Sequence, residues 1–411
     1  MTTTRLAIFV LTYILMAAQQ LPGLRINRPA ASLLGAVAMV VLGGLPASDA
    51  AAAIDMNVIV FLLGVLLLTG YLELGGFFDW AAVRLVARLR SPRALLAGII
   101  VASGVLSALF LNDTVCLVFV PLVLSALEAL RLRPLPYLLG IAFASNVGSA
   151  MTLTGNPQNM LIGVSSGIGY GAFLGALALP ALGALAIVYG VLAIGFRRDL
   201  RAGPAAAPAP NAIAPFDRVL VTKALVLFAG ALAAWLAGLS LPVVAIAAGS
   251  LMIAIGRRDA SEVFARLEWT LLLFFAALFV LMRGVESLPL FVDLTSRAAG
   301  ALTGTMWHDA AVVSAAMTAL SNLVSNVPAV ILWRPVVPHL PNARFVWLVM
   351  AMSSTFAGNL TLLGSMATLI VAERAAARGV TLRFVDVLRA GVPVTVLTLL
   401  WGIAALVFVI R

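Results

Sequence analysis

Apolar runs of about twenty residues recur along this chain from Leu6 to Ile410, and they restrict its possible folds more than any other feature. An α-helix needs about 20 apolar residues to cross the hydrocarbon core of a bilayer. The chain is 63% hydrophobic and only 10% charged, whereas a soluble domain usually carries about 25% charged residues. A water-soluble fold is therefore excluded, and we predict an all-α polytopic membrane protein.

The apolar segments are of two kinds. Most have the length of single membrane spans, and two of these spans contain a polar turn that should break the helix. The predicted spans are 6–21, 30–46, 56–74, 135–167, 172–196, 219–238, 241–256, 268–284, 343–372 and 388–410. Two longer stretches, 94–130 and 307–340, have a polar cluster at the centre, and each is predicted to form a re-entrant helical hairpin. Non-helical backbone at membrane depth persists only where it is buried in protein or lines a cavity.

The two halves of the chain repeat. One constant shift along the sequence places Asn112 on Asn326, and a slightly smaller shift places Gly155 on Gly364. The Ala- and Pro-rich segment 197–217 reads as a cytoplasmic linker between a first repeat, 1–200, and a second repeat, 218–411. Each half contains five transmembrane helices and one hairpin. Because five crossings is an odd number, the second half is predicted to be inverted, as in many secondary transporters.

The distribution of basic residues predicts the orientation. With the N-terminus outside, twenty of the 26 Lys and Arg residues fall on the cytoplasmic side, in accord with the positive-inside rule. We therefore expect a multi-pass protein of a bacterial-type inner membrane, in contact with lipids and with both termini outside. The net charge of +10 is explained by this pattern, so nucleic-acid binding is not expected. The amphipathic segments 76–91 and 287–300 are predicted to be interfacial helices.

The hairpin tips and the broken spans supply the polar side chains of a predicted binding site. Half-helices that end near the membrane centre present free N–H groups to anions and free C=O groups to cations. The same residue types would also cap the broken helices without any ligand. The candidate residues are Asn112, Asp113 and Thr114 at the first tip, Ser325 and Asn326 at the second tip, Thr154, Gly155, Asn156 and Asn159 in the first broken span, and Asn359, Thr361, Gly364 and Ser365 in the second.

Asp113 is the most informative single residue, because an ionisable group at membrane depth is costly and marks a functional site. We interpret it as the coupling residue, which would bind a proton or meet a sodium ion. Val327 lies at the equivalent position of the second repeat, so the two tips are chemically unequal.

Other kinds of chemistry find little support in the sequence. One cysteine, Cys116, and two histidines provide neither a disulfide nor a zinc site, nor the three sulfurs that trivalent arsenic would need. No clustered catalytic set is present, so an enzyme is not expected. The sequence has no GxxxxGK[ST] loop, and energy would come from an ion gradient or from a partner such as an external ATPase. No cofactor is predicted beyond a coupling Na+ or H+.

At these motifs the chain resembles the ion transporter superfamily, and within it the citrate-transporter-like anion permeases that include ArsB-type arsenite permeases and the melanosomal P protein. The resemblance is carried by Asn112-Asp113-Thr114 through Pro121, Gly155-Asn156-Pro157-Gln158-Asn159, Ser325-Asn326-Val327-Pro328 and Gly358-Asn359 through Gly364-Ser365. It implies a homodimer in which a transport domain, 94–196 with 307–411, moves like an elevator against a scaffold, 6–74 with 219–284.

One departure from the family pattern bears on the substrate. Sodium-dicarboxylate members carry Ser-Asn-Thr at both tips, whereas the first tip here contains Asp113. A carboxylate at the site would repel a dicarboxylate. The sequence therefore favours an ion-coupled secondary transporter of a small anion or its neutral acid, with arsenite or antimonite as leading candidates. Sodium/proton exchange, sodium-coupled di- or tricarboxylate transport and a passive channel are the alternatives.

Overall fold

The computed structural model describes residues 2–17, 26–89, 91–201 and 216–411, and within these ranges the chain forms twenty α-helices and no β-strand. The first half contains α1 (Thr2–Ala17), α2 (Arg28–Val41), α3 (Ala47–Ala53), α4 (Met56–Leu74), α5 (Phe77–Arg88), α6 (Pro92–Leu109), α7 (Asn112–Ala129), α8 (Leu135–Ser149), α9 (Pro157–Ser166) and α10 (Tyr170–Gly195). The second half contains α11 (Arg218–Leu236), α12 (Leu241–Ile255), α13 (Ala260–Phe264), α14 (Trp269–Val285), α15 (Pro289–Gly300), α16 (Met306–Val324), α17 (Asn326–Trp333), α18 (Ala343–Ala357), α19 (Met366–Ala376) and α20 (Phe384–Ile410). The prediction of an all-α protein is confirmed.

Several described helices have the length and the apolar composition of membrane spans. Six of them satisfy both conditions alone: α4, α6, α7, α10, α11 and α20. Four shorter helices, α1, α2, α12 and α18, are also apolar, and α14 meets α15 at a bend of 90°. The chain is therefore an integral, multi-pass membrane protein.

Some predicted boundaries differ from the structure or lie outside its described residues. Residues 18–21 of the first predicted span, residue 90 of the first interfacial segment and residues 202–215 of the linker lie outside the described residues. The short helices α3 and α13 were not predicted, because seven and five residues are too few for a periodic apolar pattern. Helix α20 begins four residues before the span expected from 388, since its first turn carries Asp386 and is not apolar throughout.

The chain breaks its helices at the polar clusters. In the first half α6 and α7 are separated by Phe110 and Leu111, and α8 and α9 by the loop 150–156. In the second half α16 and α17 are separated by Ser325, and α18 and α19 by the loop 358–365. Below, the residues around 110–113 and around 325–327 are called the first and second tips, and the two loops are called the first and second loops.

The helices pack in two groups. In one group α4 packs against α12 and α2 packs against α14, with α1 and α11 alongside. In the other group α6 packs on α8, α16 on α18, and α10 on α20. Contacts between α4 and α9 and between α14 and α17 join the groups. The two loops and the two tips lie within the second packing group and face helix α14, which belongs to the first packing group.

Candidate functional site

The first tip is anchored to the first loop. The backbone N–H of Asn112 donates to the carbonyl oxygen of Gly155 at 3.0 Å. No side chain caps the N-terminus of α7, where Leu111 occupies the cap position. Uncapped N–H groups at the start of a helix are a source of positive potential. The first tip therefore presents both this potential and the Asn112 amide to the interior of the protein.

The first loop is held by its own side chains. Asn156 caps α9 by accepting a hydrogen bond from the backbone N–H of Asn159 at 2.8 Å, and the Asn159 amide donates to the carbonyl oxygens of Ser149 at 3.1 Å and Thr152 at 2.9 Å. Asn156 and Asn159 are both fully buried. These bonds replace the helical hydrogen bonds that the break at 150–156 removes, so the loop is a defined structure.

The second tip is built differently from the first. Ser325 has a φ of 75°, a left-handed backbone conformation that side chains other than glycine adopt rarely. In the amide orientation that satisfies its neighbours, Asn326 donates to the carbonyl oxygens of Gly364 at 3.2 Å and Ser354 at 3.0 Å. The Asn326 amide therefore binds the second loop by its side chain, whereas Asn112 binds the first loop by its backbone.

The second loop is also tied to α16. The Thr361 hydroxyl donates to Asn322 Oδ1 at 2.9 Å, and the Asn322 amide donates to the carbonyl oxygen of Ala357 at 3.1 Å. Ser365 caps α19 by accepting from the backbone N–H of Thr368 at 3.0 Å. Ser365 and Asn156 occupy equivalent positions under the shift that places Gly155 on Gly364, and each caps the helix that follows its loop.

A single small cavity lies where the two tips and the two loop ends meet. Its volume is about 40 Å³, which on the usual measure holds a few non-hydrogen atoms. Its lining consists of Asn112, Asp113, Pro157, Gln158, Leu271, Phe274, Phe275, Ser325, Asn326, Val327, Pro328, Ser365 and Met366. The structure thus brings Asn112 and Asn326 to one cavity, although they belong to opposite halves of the chain.

The cavity is lined by amides, hydroxyls, apolar groups and one carboxylate. Among the residues that the structure describes, Asp113 is the only ionisable side chain in the lining, and no Arg, Lys or His contributes to it. Within the described part of the chain, Asp113 takes part in none of the ion pairs. Leu271, Phe274 and Phe275 of α14 supply apolar surface to the lining. The arrangement suits a small ligand with many hydroxyl groups, or a cation that the carboxylate attracts.

Not all of the predicted site residues line the cavity. Five of the thirteen do so: Asn112, Asp113, Ser325, Asn326 and Ser365. The other eight are not among the lining residues, namely Thr114, Thr154, Gly155, Asn156, Asn159, Asn359, Thr361 and Gly364. Thr154, for example, bonds instead to the hydroxyl of Tyr170 of α10 at 3.0 Å.

Three polar residues of the site were missed by the sequence analysis. Gln158 lines the cavity, Asn322 binds the second loop, and Asn146 lies between the first tip and the second loop. Asn146 is 1% exposed. The sequence contained a signal for it, because a polar amide in the middle of an apolar segment often marks a functional site. Its partners in the second loop belong to the other half of the chain and could not be identified from local pattern.

Several buried oxygen atoms near the tips have no hydrogen-bond partner among the described residues. They include the hydroxyls of Ser107 and Ser321, which are equivalent under the shift that places Asn112 on Asn326, and the side-chain oxygen of Asn112. Native proteins leave few buried polar atoms unpaired, and an ion or water is a common reason for those that remain. Each half of the site therefore offers oxygen atoms that a cation could use.

Comparison with known proteins agrees with this architecture. A family model described as "Citrate transporter" matches residues 11–353. An uncharacterized transporter of Mycobacterium bovis is 28% identical, over 97% of this chain and 96% of the relative. The silicon efflux transporter LSI3 of Oryza sativa subsp. japonica is 29% identical, over 89% of each protein. The crystal structure of the Alcanivorax borkumensis YdaH transporter is similar in fold, with a TM-score of 0.57, 19% identity and coverage of 98% of this chain and 96% of that one.

Proposed function

Since the chain belongs to the citrate transporter family, we propose that it is an ion-coupled secondary transporter of a small anion or its neutral acid, with arsenite or antimonite as the leading candidates. The observation that carries the proposal is the cavity at the two tips, which combines the Asn112 and Asn326 amides, the Ser325 and Ser365 hydroxyls and the Asp113 carboxylate. Neutral hydroxide acids both donate and accept hydrogen bonds, and such a lining can satisfy both.

The size and charge of the cavity favour the neutral acid over a carboxylate ion. A volume of about 40 Å³ matches a molecule of a few heavy atoms. Recognition of a di- or tricarboxylate normally uses Arg or another cation, and none of the described residues that line the cavity is one. The similarity to the silicon efflux transporter of rice supports the same ligand class, because dissolved silicon and arsenite are both neutral hydroxides near neutral pH.

Asp113 and the unpaired oxygen atoms support the coupling part of the proposal. Either Asp113 takes up a proton, or Asp113 acts with the side-chain oxygen of Asn112 and the hydroxyl of Ser107 to attract a sodium ion at the first tip. The same observation favours sodium/proton exchange as the second candidate function, in which Asp113 binds both ions in turn. Sodium-coupled di- or tricarboxylate transport ranks below it because the lining, as far as the described residues form it, contains no basic side chain.

The larger architecture is part of the proposal. The order of the helices repeats between the halves, and α4 packs on α12 as α14 packs on α2, which supports a two-fold relation between inverted repeats. We assign α6 with α7 and α16 with α17 as re-entrant hairpins, and the two packing groups as scaffold and transport domain. A homodimer in the inner membrane, with elevator movement and both termini outside, completes this proposal.

Transport of arsenite by purified protein in liposomes tests the function directly. We expect an imposed proton or sodium gradient to drive arsenite against its concentration. We expect Asp113→Asn to abolish the effect of the gradient, because the titratable carboxylate is lost, while the folded protein still binds arsenite. The measurement is accumulation of arsenic in the liposomes with each gradient and without one.

A matched control is Asp199→Asn, which removes a carboxylate that pairs with Arg133 far from the cavity. This variant should transport as the wild type does. Sodium/proton exchange is the better description if the protein exchanges these ions without arsenite and arsenite changes nothing. Gradient-driven arsenite transport that persists unchanged in Asp113→Asn would contradict the coupling role.

A further inference from the structure

Asn146 of α8 bonds to both halves of the site. Its side-chain oxygen accepts a hydrogen bond from the Asn112 amide at 3.3 Å. Its amide nitrogen donates to Asn359 Oδ1 at 2.8 Å and to the Ser365 hydroxyl at 2.9 Å, with Thr368 further away at 3.4 Å. One side chain therefore links the first tip to the second loop.

The second half makes the reciprocal connection. Thr355 of α18 stands at the position equivalent to Asn146 under the shift that places Gly155 on Gly364. Its hydroxyl accepts from Gln158 Nε2 at 3.2 Å and from Asn156 Nδ2 at 3.4 Å, both at the end of the first loop. Gln158 Nε2 also donates to Asn326 at the second tip at 3.3 Å. Each loop is thus held by the opposite half of the chain.

The connection through Asn146 differs from the one through Thr355, because Asn146 joins the proposed cation site to the other half of the cavity. Asn146 is 1% exposed, and both its side-chain oxygen and its side-chain nitrogen are hydrogen-bonded. A movement of Asn112 therefore shifts the Asn146 oxygen that it binds, and with it the two hydrogen bonds that Asn146 donates to Asn359 and Ser365. The unpaired oxygens of Asn112 and Ser107 and the Asp113 carboxylate lie in the first half, where a cation would bind. Asn359 and Ser365, which Asn146 holds, belong to the half that carries Ser325 and Asn326.

We propose that Asn146 is a positioning residue that couples cation binding at the first tip to substrate binding at the second loop. The inference rests on the proposed ion-coupled transport and names the side chain through which the two ligands affect each other. Binding of a cation fixes the Asn112 amide, Asn112 fixes Asn146, and Asn146 fixes the Asn359 and Ser365 side chains beside the cavity. Two ligands coupled in this way raise each other's affinity by the same factor.

The experiment measures that factor. Arsenite binding to purified protein is titrated by thermal shift in sodium chloride and in choline chloride, and then at acidic and alkaline pH in choline chloride. We expect the wild type to bind arsenite about tenfold more tightly with the favoured cation, a typical allosteric factor. In Asn146→Ala the ratio of the two dissociation constants should fall to about twofold or less. Ser365→Ala removes only one of the hydrogen bonds that Asn146 donates, so it should lower the ratio of dissociation constants to an intermediate value.

Ser353→Ala is the matched control, because Ser353 is also buried and, among the described residues, its hydroxyl bonds only to Val349 of its own helix. It should keep the wild-type ratio. If Asn146 has a purely structural role, Asn146→Ala will weaken arsenite binding equally in both salts and leave the ratio of dissociation constants unchanged. That result overturns the inference. If Asn146→Ala does not fold, an unchanged ratio in Ser365→Ala overturns it instead. A wild type that binds arsenite with no cation effect removes ion coupling itself, and the inference with it.

Discussion

At the scale of single residues, Gly155 sets how closely the first loop approaches the first tip. A Cβ at this position would lie 2.8 Å from the Ser107 carbonyl oxygen and closer still to that of Ser149. Both obstacles are backbone atoms, so they cannot rotate away. The carbonyl of Gly155 accepts the Asn112 N–H, and any shift of the loop moves the tip as well.

We therefore expect Gly155→Ala to lower the stability by about 1–3 kcal/mol, the usual effect of overpacking, and to weaken arsenite binding. Gly175→Ala in α10 is the control, because no atom lies within 4 Å of its Cβ position. That substitution should be neutral, or stabilising by up to about 1 kcal/mol. Thermal unfolding in detergent and arsenite titration measure both effects. Wild-type stability and affinity in Gly155→Ala would show that this close approach is unimportant.

Residues with a distinctive local signal were the easiest to place from the sequence. Asn112, Asn326 and Ser365 stand at helix breaks, where polar clusters interrupt apolar runs, and the structure puts all three at the cavity. Asn146 and Gln158 were missed because each lies within a helix or at its first turn and acts on a residue of the other half. Such contacts depend on how the halves meet, which periodicity does not encode.

At the scale of elements, helix boundaries followed from apolar periodicity and from helix-breaking residues. The break between α8 and α9 falls at the Gly-Asn-Pro turn, and α9 starts at Pro157. Short helices such as α13 escaped prediction, and their starts depend on capping side chains that give a weak signal in sequence. Asp217 is such a cap for α11, the first helix of the second half.

Asp217 should stabilise the start of α11 in a pH-dependent way. Its side chain accepts from the Leu220 N–H at 3.0 Å and pairs with Arg258 at 2.9 Å. The Leu220 N–H and then the Arg258 guanidinium hold the pKa of Asp217 below its ordinary value. A carboxylate with a lowered pKa in the folded state contributes stability above its unfolded pKa and loses it as the pH falls through the folded value.

We expect Asp217→Ala to lose about 1 kcal/mol at neutral pH, and the difference from wild type to shrink in acid. Asp217→Asn keeps a capping oxygen but has no charge, so it should lose less than about 1 kcal/mol, the usual contribution of an exposed ion pair. Thermal unfolding in detergent at neutral and acidic pH measures these differences. A deficit in Asp217→Ala that grows as the pH falls would contradict this account.

At the scale of the whole molecule, an ion pair links the two packing groups, and a hydrogen bond from an arginine links elements within one group. Asp55, which caps α4, pairs with Arg334 at the end of α17 at 2.8 Å. This pair joins the proposed scaffold to the proposed transport domain. By contrast, Arg378, just beyond α19, donates to the Ser125 hydroxyl of α7 at 2.7 Å, within the proposed transport domain but between the two proposed repeats.

These two links distinguish an elevator from a movement of one repeat against the other. We expect a short bifunctional thiol reagent to stop arsenite transport when it joins cysteines at 55 and 334, because the transport domain could no longer move along the scaffold. Both double-cysteine variants are made with Cys116→Ser, which removes the single natural thiol. The measurement is arsenite uptake into liposomes before cross-linking, after it, and after the link is cleaved.

The control is the same reagent at Ser125→Cys with Arg378→Cys. In an elevator, the transport domain moves as one body, so this link should leave transport at its level before cross-linking. If the two repeats instead rock against each other, the link between 125 and 378 joins the moving parts and stops transport. The 55–334 link also joins the two repeats and should stop transport in either case, so the 125–378 link decides between the two movements. Inhibition by the 125–378 link would replace the elevator by rocking repeats, while leaving the cavity at the tips as the binding site.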